Sequence, residues 1–126
     1  MMTKIAKTLG KDADIPGYTQ KQEALKTRIH ETFFHAENNQ YASSSQIDLI
    51  YPMLVGVTPA DLQAKVKEAL FQESAGRFRG HIATGLVGIS ILTQWATQNQ
   101  EAEFVYGMLK KRTYPGYLYM IDNGAT

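Results

Sequence analysis

Two helical patterns of apolar residues alternate along this chain, and that alternation limits the possible folds more than any single motif does. Thr19 to Glu37 places Leu25, Ile29, Thr32, Phe33 and Ala36 on one stripe with Lys21, Lys26, Arg28 and Glu31 elsewhere, the pattern of a helix with one wet face. Gln46 to Leu54 is apolar nearly all round through Ile47, Leu49, Ile50, Tyr51, Met53 and Leu54, so as a helix it needs cover on most sides. Thr58, Pro59 and Asp61 then supply an N-cap, a first-turn proline and a first-turn acid for a helix striped by Leu62, Val66, Ala69 and Leu70. Leu86 to Ala96 is again apolar on most faces, and Glu101 to Arg112 returns to one stripe with acids in its first turn and Lys110, Lys111 and Arg112 in its last. One-sided and fully apolar helices in turn predict two layers joined as antiparallel hairpins, with Gln46 to Leu54 and Leu86 to Ala96 in the inner layer.

The period changes near the C-terminus. Tyr117, Tyr119 and Ile121 fall on one face and Leu118 and Met120 on the other, before the turn dipeptide Asn123-Gly124. A short strand and turn is expected there, and any sheet is confined to such short pieces. The spacers Lys11 to Gly17 and Asn38 to Ser45 are too short for domain linkers, so residues 1–126 read as one segment.

Composition removes several functions. The 126 residues carry 13 basic and 12 acidic side chains, a balance without the field that draws a protein to phosphate backbones or anionic lipid. The cations of Lys110 to Arg112 beside the tyrosines of Tyr114 to Tyr119 read as a helix end followed by a strand, not as a nucleic-acid surface. With no cysteine there is no disulfide framework, thiolate cluster or cysteine nucleophile. The longest apolar stretch, Leu86 to Leu92, falls far short of the roughly 20 residues a bilayer requires. Ile5, Ala6 and Leu9 near the start have helical spacing rather than the continuous apolar run of an export signal, and the compartment stays open.

Candidate chemistry is sparse. His30 and His35 are five apart and diverge by about 140° on a helix, so with Glu31 they do not form a zinc-binding pair. The glycines Gly76, Gly80, Gly85 and Gly88 lack the lysine of a phosphate loop. No metal site and no cofactor follow. Most acids sit on solvated helix faces or at helix starts, which leaves Asp48, on a nearly apolar helix, and Asp122, in the terminal turn, as the carboxylates to examine.

A joint pattern is more specific. Tyr41 and Gln46 lead into an inner helix, an apolar segment that ends in Leu54, Gly56 and Pro59 as Leu-x-Gly-x-x-Pro; Gly80, His81, Thr84 and Gly85 form Gly-His-x-x-Thr-Gly; Tyr114-Pro115 and Asn123 to Thr126, Asn-Gly-Ala-Thr, close the series. From about Ala6 onward this resembles the bacterial α-L-rhamnosidases of glycoside hydrolase family 78. The resemblance implies an all-α fold, part of an (α/α)6 toroid, and hydrolysis of terminal α-L-rhamnosyl groups by inversion without a cofactor. It implies that His81, Thr84 and Tyr117 lie where a rhamnosylated glycan binds, although the family more often has Ser-Trp where Gly116 and Tyr117 stand here. A loop-stabilising histidine is the other reading of His81. The family's catalytic base belongs to a Trp-Glu-x-Trp motif that follows Asn-Gly-Ala-Thr-Thr, and its acid to an Asp-x-Pro-x-Arg-Asp-Glu-x-x-Gly-Trp motif; neither is matched within these residues. The expectation is therefore a partial catalytic-domain segment with no catalytic residue of its own and apolar helix faces that self-associate. The alternative is a non-catalytic helical interaction module.

Overall fold

The computed structural model describes residues 1–125; Thr126, the last residue of the Asn-Gly-Ala-Thr motif, lies outside the described residues. The elements run α1 (Met2–Thr8), a 3₁₀ turn (Asp12–Asp14), α2 (Ile15–Phe33), β1 (Phe34–His35), β2 (Gln40–Tyr41), α3 (Gln46–Leu54), α4 (Gln63–Ala75), α5 (Gly85–Gln98), α6 (Ala102–Leu109) and α7 (Tyr117–Asp122). They divide into two compact units, Met1–Phe33 and Phe34–Thr126.

In the first unit α1 packs on α2 and buries Ala6, while Leu9, Leu25 and Phe33 stay exposed. The stripe expected on α2 is thus wet along much of its length, and α2 has no buried residue. Its bounds also differ from the sequence reading. Asp12 and Asp14 lie in a 3₁₀ turn that runs directly into α2, and Pro16 near the helix start loses no bond because the first-turn N–H groups have no partner inside the helix. The helix stops at Phe33 because Phe34 and His35 pair with Tyr41 and Gln40 in an antiparallel hairpin, with the rings of Phe34 and Tyr41 5.1 Å apart.

The second unit holds the core. α3 packs against both α4 and α5, and α5 against α6. Leu49 and Ile50 of α3, Val66 and Leu70 of α4, and Leu92 of α5 are fully buried, and Trp95 is nearly so. Each such side chain contributes about 1.5–3 kcal/mol of hydrophobic stabilisation. Three helices meet at an aromatic junction: Phe71 lies 4.6 Å from Phe104, and Trp95 stands edge-on to Phe104 at 6.3 Å. Lys67 of α4 reaches Glu101, just before α6, at 2.8 Å.

The all-round apolar segments are helices as expected, and α3 has the expected bounds. Their cover is incomplete, however: Leu86 is 91% exposed and Val87 77%, both in the first turn of α5. The helix expected from Thr58 begins as α4 at Gln63, because Pro59 to Leu62 closes a turn first through Leu62 N–H to Pro59 O, 3.0 Å.

The strand expected near Tyr117 to Ile121 is instead α7. Five alternating residues are too few to separate the two periods, and the local bonds favour the helix. Met120 N–H bonds to Gly116 O, and the Asn123 amide donates to Tyr119 O at 2.8 Å, capping the last turn. The sheet of the described residues is the β1–β2 hairpin.

Candidate functional site

Ser45 caps α3 and thereby sets where Gln46 stands. The Asp48 N–H donates to Ser45 Oγ at 3.3 Å, while the Asp48 carboxylate accepts from Ser43 N–H at 3.2 Å and Ser43 Oγ at 2.5 Å. Burial tends to raise the Asp48 pKa, but hydrogen bonds from the hydroxyl and backbone groups of Ser43 and Ser45 outweigh it and hold the pKa below the usual value. This is a capping box with an aspartate in the usual glutamate position. Asp48, one of the two open carboxylates, is therefore engaged in starting the helix.

Gln46, the first residue of α3, turns into the core and is fully buried. Its Nε2 donates to Ser74 Oγ at 3.1 Å and to the His81 carbonyl at 2.9 Å, with Met108 Sδ 3.7 Å away. Its Oε1 accepts from Ala83 N–H at 2.7 Å. The amide orientation follows from these partners, since the reverse would set oxygen against the His81 carbonyl and NH₂ against the Ala83 N–H. One side chain thus joins α3, the last turns of α4 and α6, and the loop that leads into α5.

That loop begins at Gly80, whose φ of +74° suits glycine. A Cβ there would also lie 2.6 Å from Lys111 Cε. His81 follows with its ring buried. Nε2 lies 3.1 Å from Thr113 Oγ1, and Nδ1 is buried without a partner among the described residues. A bare ring nitrogen is cheaper to leave unpaired than an N–H, which favours the tautomer protonated at Nε2 and donating to Thr113. His81 is thus held from both ends, its carbonyl by Gln46 and its ring by Thr113.

Thr84 ends the loop as the residue before α5 and packs on Gly88; a Cβ at Gly88 would fall 2.5 Å from Thr84 Cβ. Tyr117 stands at the first turn of α7, 38% exposed. It follows Gly116, where a Cβ would meet the Lys111 carbonyl oxygen at 2.2 Å, so this departure from the family pattern is fitted to a tight turn. The structure therefore ties His81 to Thr113, four residues before Tyr117, and sets Thr84 on its own helix. Asp122, the second open carboxylate, receives Arg112 Nη1 on both oxygens at 2.6–2.7 Å.

Other chemistry finds no seat here. His30 lies in α2 and His35 in β1, and among the described residues no group of three His, Cys, Asp or Glu is placed to hold a metal ion. Beside Gly80 a hollow of about 250 Å³ is lined by Phe71, Phe104, Met108 and Ser74, an apolar surface with little to orient a sugar hydroxyl. No helix among the described residues is long and apolar enough to cross a membrane.

In the sequence Gln46 stands out only as part of a motif, and Thr113 carries no signal of its role. Ser45-x-x-Asp48 carried a legible capping signal. The Gln46 and Thr113 contacts join residues 28 to 62 positions apart and leave no local signature.

Comparison with known proteins agrees with this architecture. The bacterial alpha-L-rhamnosidase 6 hairpin glycosidase domain family matches residues 1–126. An alpha-L-rhamnosidase of Formosa agariphila is 22% identical over 126 residues, all of this chain and 14% of that protein. One from an Alteromonas species is 27% identical over 132 residues, covering 98% of this chain and 13% of its own length. The structure of an alpha-L-rhamnosidase from Dictyoglumus thermophilum superposes with a TM-score of 0.85 at 30% identity, over 98% of this chain and 14% of that one. The chain thus spans about one seventh of the proteins it matches, and its helices correspond to part of a six-hairpin glycosidase domain.

Proposed function

The chain belongs to the bacterial alpha-L-rhamnosidase 6 hairpin glycosidase domain family, and from that premise we propose that it forms a segment of the wall of an (α/α)6 catalytic ring that removes terminal α-L-rhamnosyl groups from glycans by inversion. In this reading residues 1–126 are one partial catalytic-domain segment, and His81, Thr84 and Tyr117 stand toward the sugar. The general acid and general base lie elsewhere in such an enzyme.

The engagement of both open carboxylates supports this division of labour. Inversion needs a protonated acid and an ionised base about 6.5–9.5 Å apart, with water between the base and the sugar. Asp48 is held ionised by Ser43 and Ser45, which disqualifies it as the acid. Asp122 is committed to Arg112. With one carboxylate tied to the start of α3 and the other to Arg112, the chain alone would bind without turnover.

The binding part of the proposal is tested by titrating ¹⁵N-labelled chain with L-rhamnose, using D-glucose as a control. Shifts confined to the amides of His81, Thr84 and Tyr117, with rhamnose alone, support the assignment. Equal shifts with both sugars, or shifts confined to residues 1–33, reject it.

A further inference from the structure

We infer that Gln46 is the positioning residue of the His81–Thr84 loop, through a single side chain that holds the carbonyl of His81 and the N–H of Ala83 together. The two bonds, 2.9 and 2.7 Å, point in opposite senses, as a neighbouring strand would supply them. Within this loop the Ala83 N–H goes to a side chain, so the loop geometry depends on where that side chain stands. Gln46 is well fixed for the task. It is fully buried, the Ser45 cap sets the start of its helix, and its second donor position is taken by Ser74 Oγ.

A buried amide is costly unless its partners are all present, and with them it specifies one arrangement of the groups around it. Packing alone would be met by a leucine or methionine. What glutamine adds is the simultaneous satisfaction of a carbonyl and an N–H two residues apart, which an apolar side chain leaves unpaired. The His81 ring bond to Thr113 then carries the same constraint to the segment before Tyr114 and Pro115. The part of this inference that concerns sugar contact rests on the rhamnoside reading; the part that concerns loop geometry does not.

The experiment compares the full chain with its Gln46→Leu, Gln46→Glu and Ser74→Ala variants by hydrogen exchange and by ¹⁵N spectra of the His81 ring. In the unaltered chain the Ala83 N–H and the Gln46 side-chain N–H groups should exchange at least ~100-fold more slowly than the side-chain amide of exposed Gln20. Gln46→Leu should lose at least ~10-fold of the Ala83 protection and move the His81 ring signals, with helix content by circular dichroism unchanged. Gln46→Glu keeps an acceptor for Ala83 but sets oxygen against the His81 carbonyl, so it should retain the Ala83 protection while shifting His81. Ser74→Ala removes one acceptor of the Gln46 amide but leaves the His81 and Ala83 bonds, so it should reduce the Ala83 protection less than Gln46→Leu does.

Ala83 protection and His81 signals unchanged in Gln46→Leu would overturn the inference. Should that variant fail to fold, rapid exchange of Ala83 in the unaltered chain, or a Gln46→Glu spectrum identical to it, would overturn the inference equally. If L-rhamnose leaves the unaltered chain unperturbed while the exchange pattern holds, the rhamnoside reading fails and the role of Gln46 stands.

Discussion

Gly88→Ala should destabilise the protein although it replaces a glycine inside a helix. Gly88 is a buried position of α5, and alanine there improves helix propensity by about 1 kcal/mol. The new methyl would fall 2.5 Å from Thr84 Cβ, roughly an ångström inside ordinary contact. Overpacking of that kind costs about 1–3 kcal/mol, and at so short a distance the upper part of the range applies. The expected net loss is therefore about 2 kcal/mol, the clash less the propensity gain. Thr84→Gly removes the offending Cβ and alone should cost about 0.5–1 kcal/mol, through a more flexible approach to the helix. In that background Gly88→Ala should become stabilising by about 1 kcal/mol. The four proteins form a double-mutant cycle, read by urea denaturation at one low protein concentration through the fluorescence of Trp95, the single tryptophan. A Gly88→Ala variant that is more stable in both backgrounds would refute the contact, and an equal loss in both would place the clash with another residue.

Two further outcomes follow from described contacts. Asp48 has a lowered pKa in the folded chain, so its contribution to stability is complete above the usual carboxylate range and is lost as pH falls through and below about 4. Asp48→Asn should flatten that part of the acid limb, and Ser45→Ala should cost about 1 kcal/mol at neutral pH; an acid limb identical in Asp48→Asn would contradict the capping box. Leu86→Lys together with Val87→Lys should lower self-association and binding of a hydrophobic dye, measured by light scattering and fluorescence, because these two side chains carry the most exposed apolar surface of α5. Association and dye binding unchanged by the double substitution would contradict the expectation that this face self-associates.

Much of the helical framework was legible because long apolar patterns outweigh local ambiguity. Gln46 to Leu54 was read to the residue, and Leu86 to Ala96 lies within α5. Errors gathered where the signal was short or the deciding contact distant. Tyr117 to Ile121 alternates as a strand would, yet five residues fit either period, and the Gly116 carbonyl and the Asn123 side chain decide for a helix. Phe33 ends α2 because its successors pair with Gln40 and Tyr41, which no stripe of apolar residues can announce. At the candidate site the motif residues His81 and Thr84 were visible in the sequence. The groups that hold them were not: Gln46 and Thr113 act on His81 across 35 and 32 positions, and the Thr84 contact appears only as a glycine four residues on.

The central proposal is that this chain is part of a rhamnoside-cleaving ring without holding its catalytic carboxylates, and turnover tests that proposal most directly. The purified chain is incubated with an aryl α-L-rhamnoside beside its Asp48→Asn and Asp122→Asn variants, and aryl release is followed. Acid and base assistance each supply roughly 10²- to 10⁴-fold, so with both absent the rate should match the uncatalysed background in all three proteins. Release well above background that disappears in either variant would show that the chain carries its own catalytic carboxylate and would contradict the account.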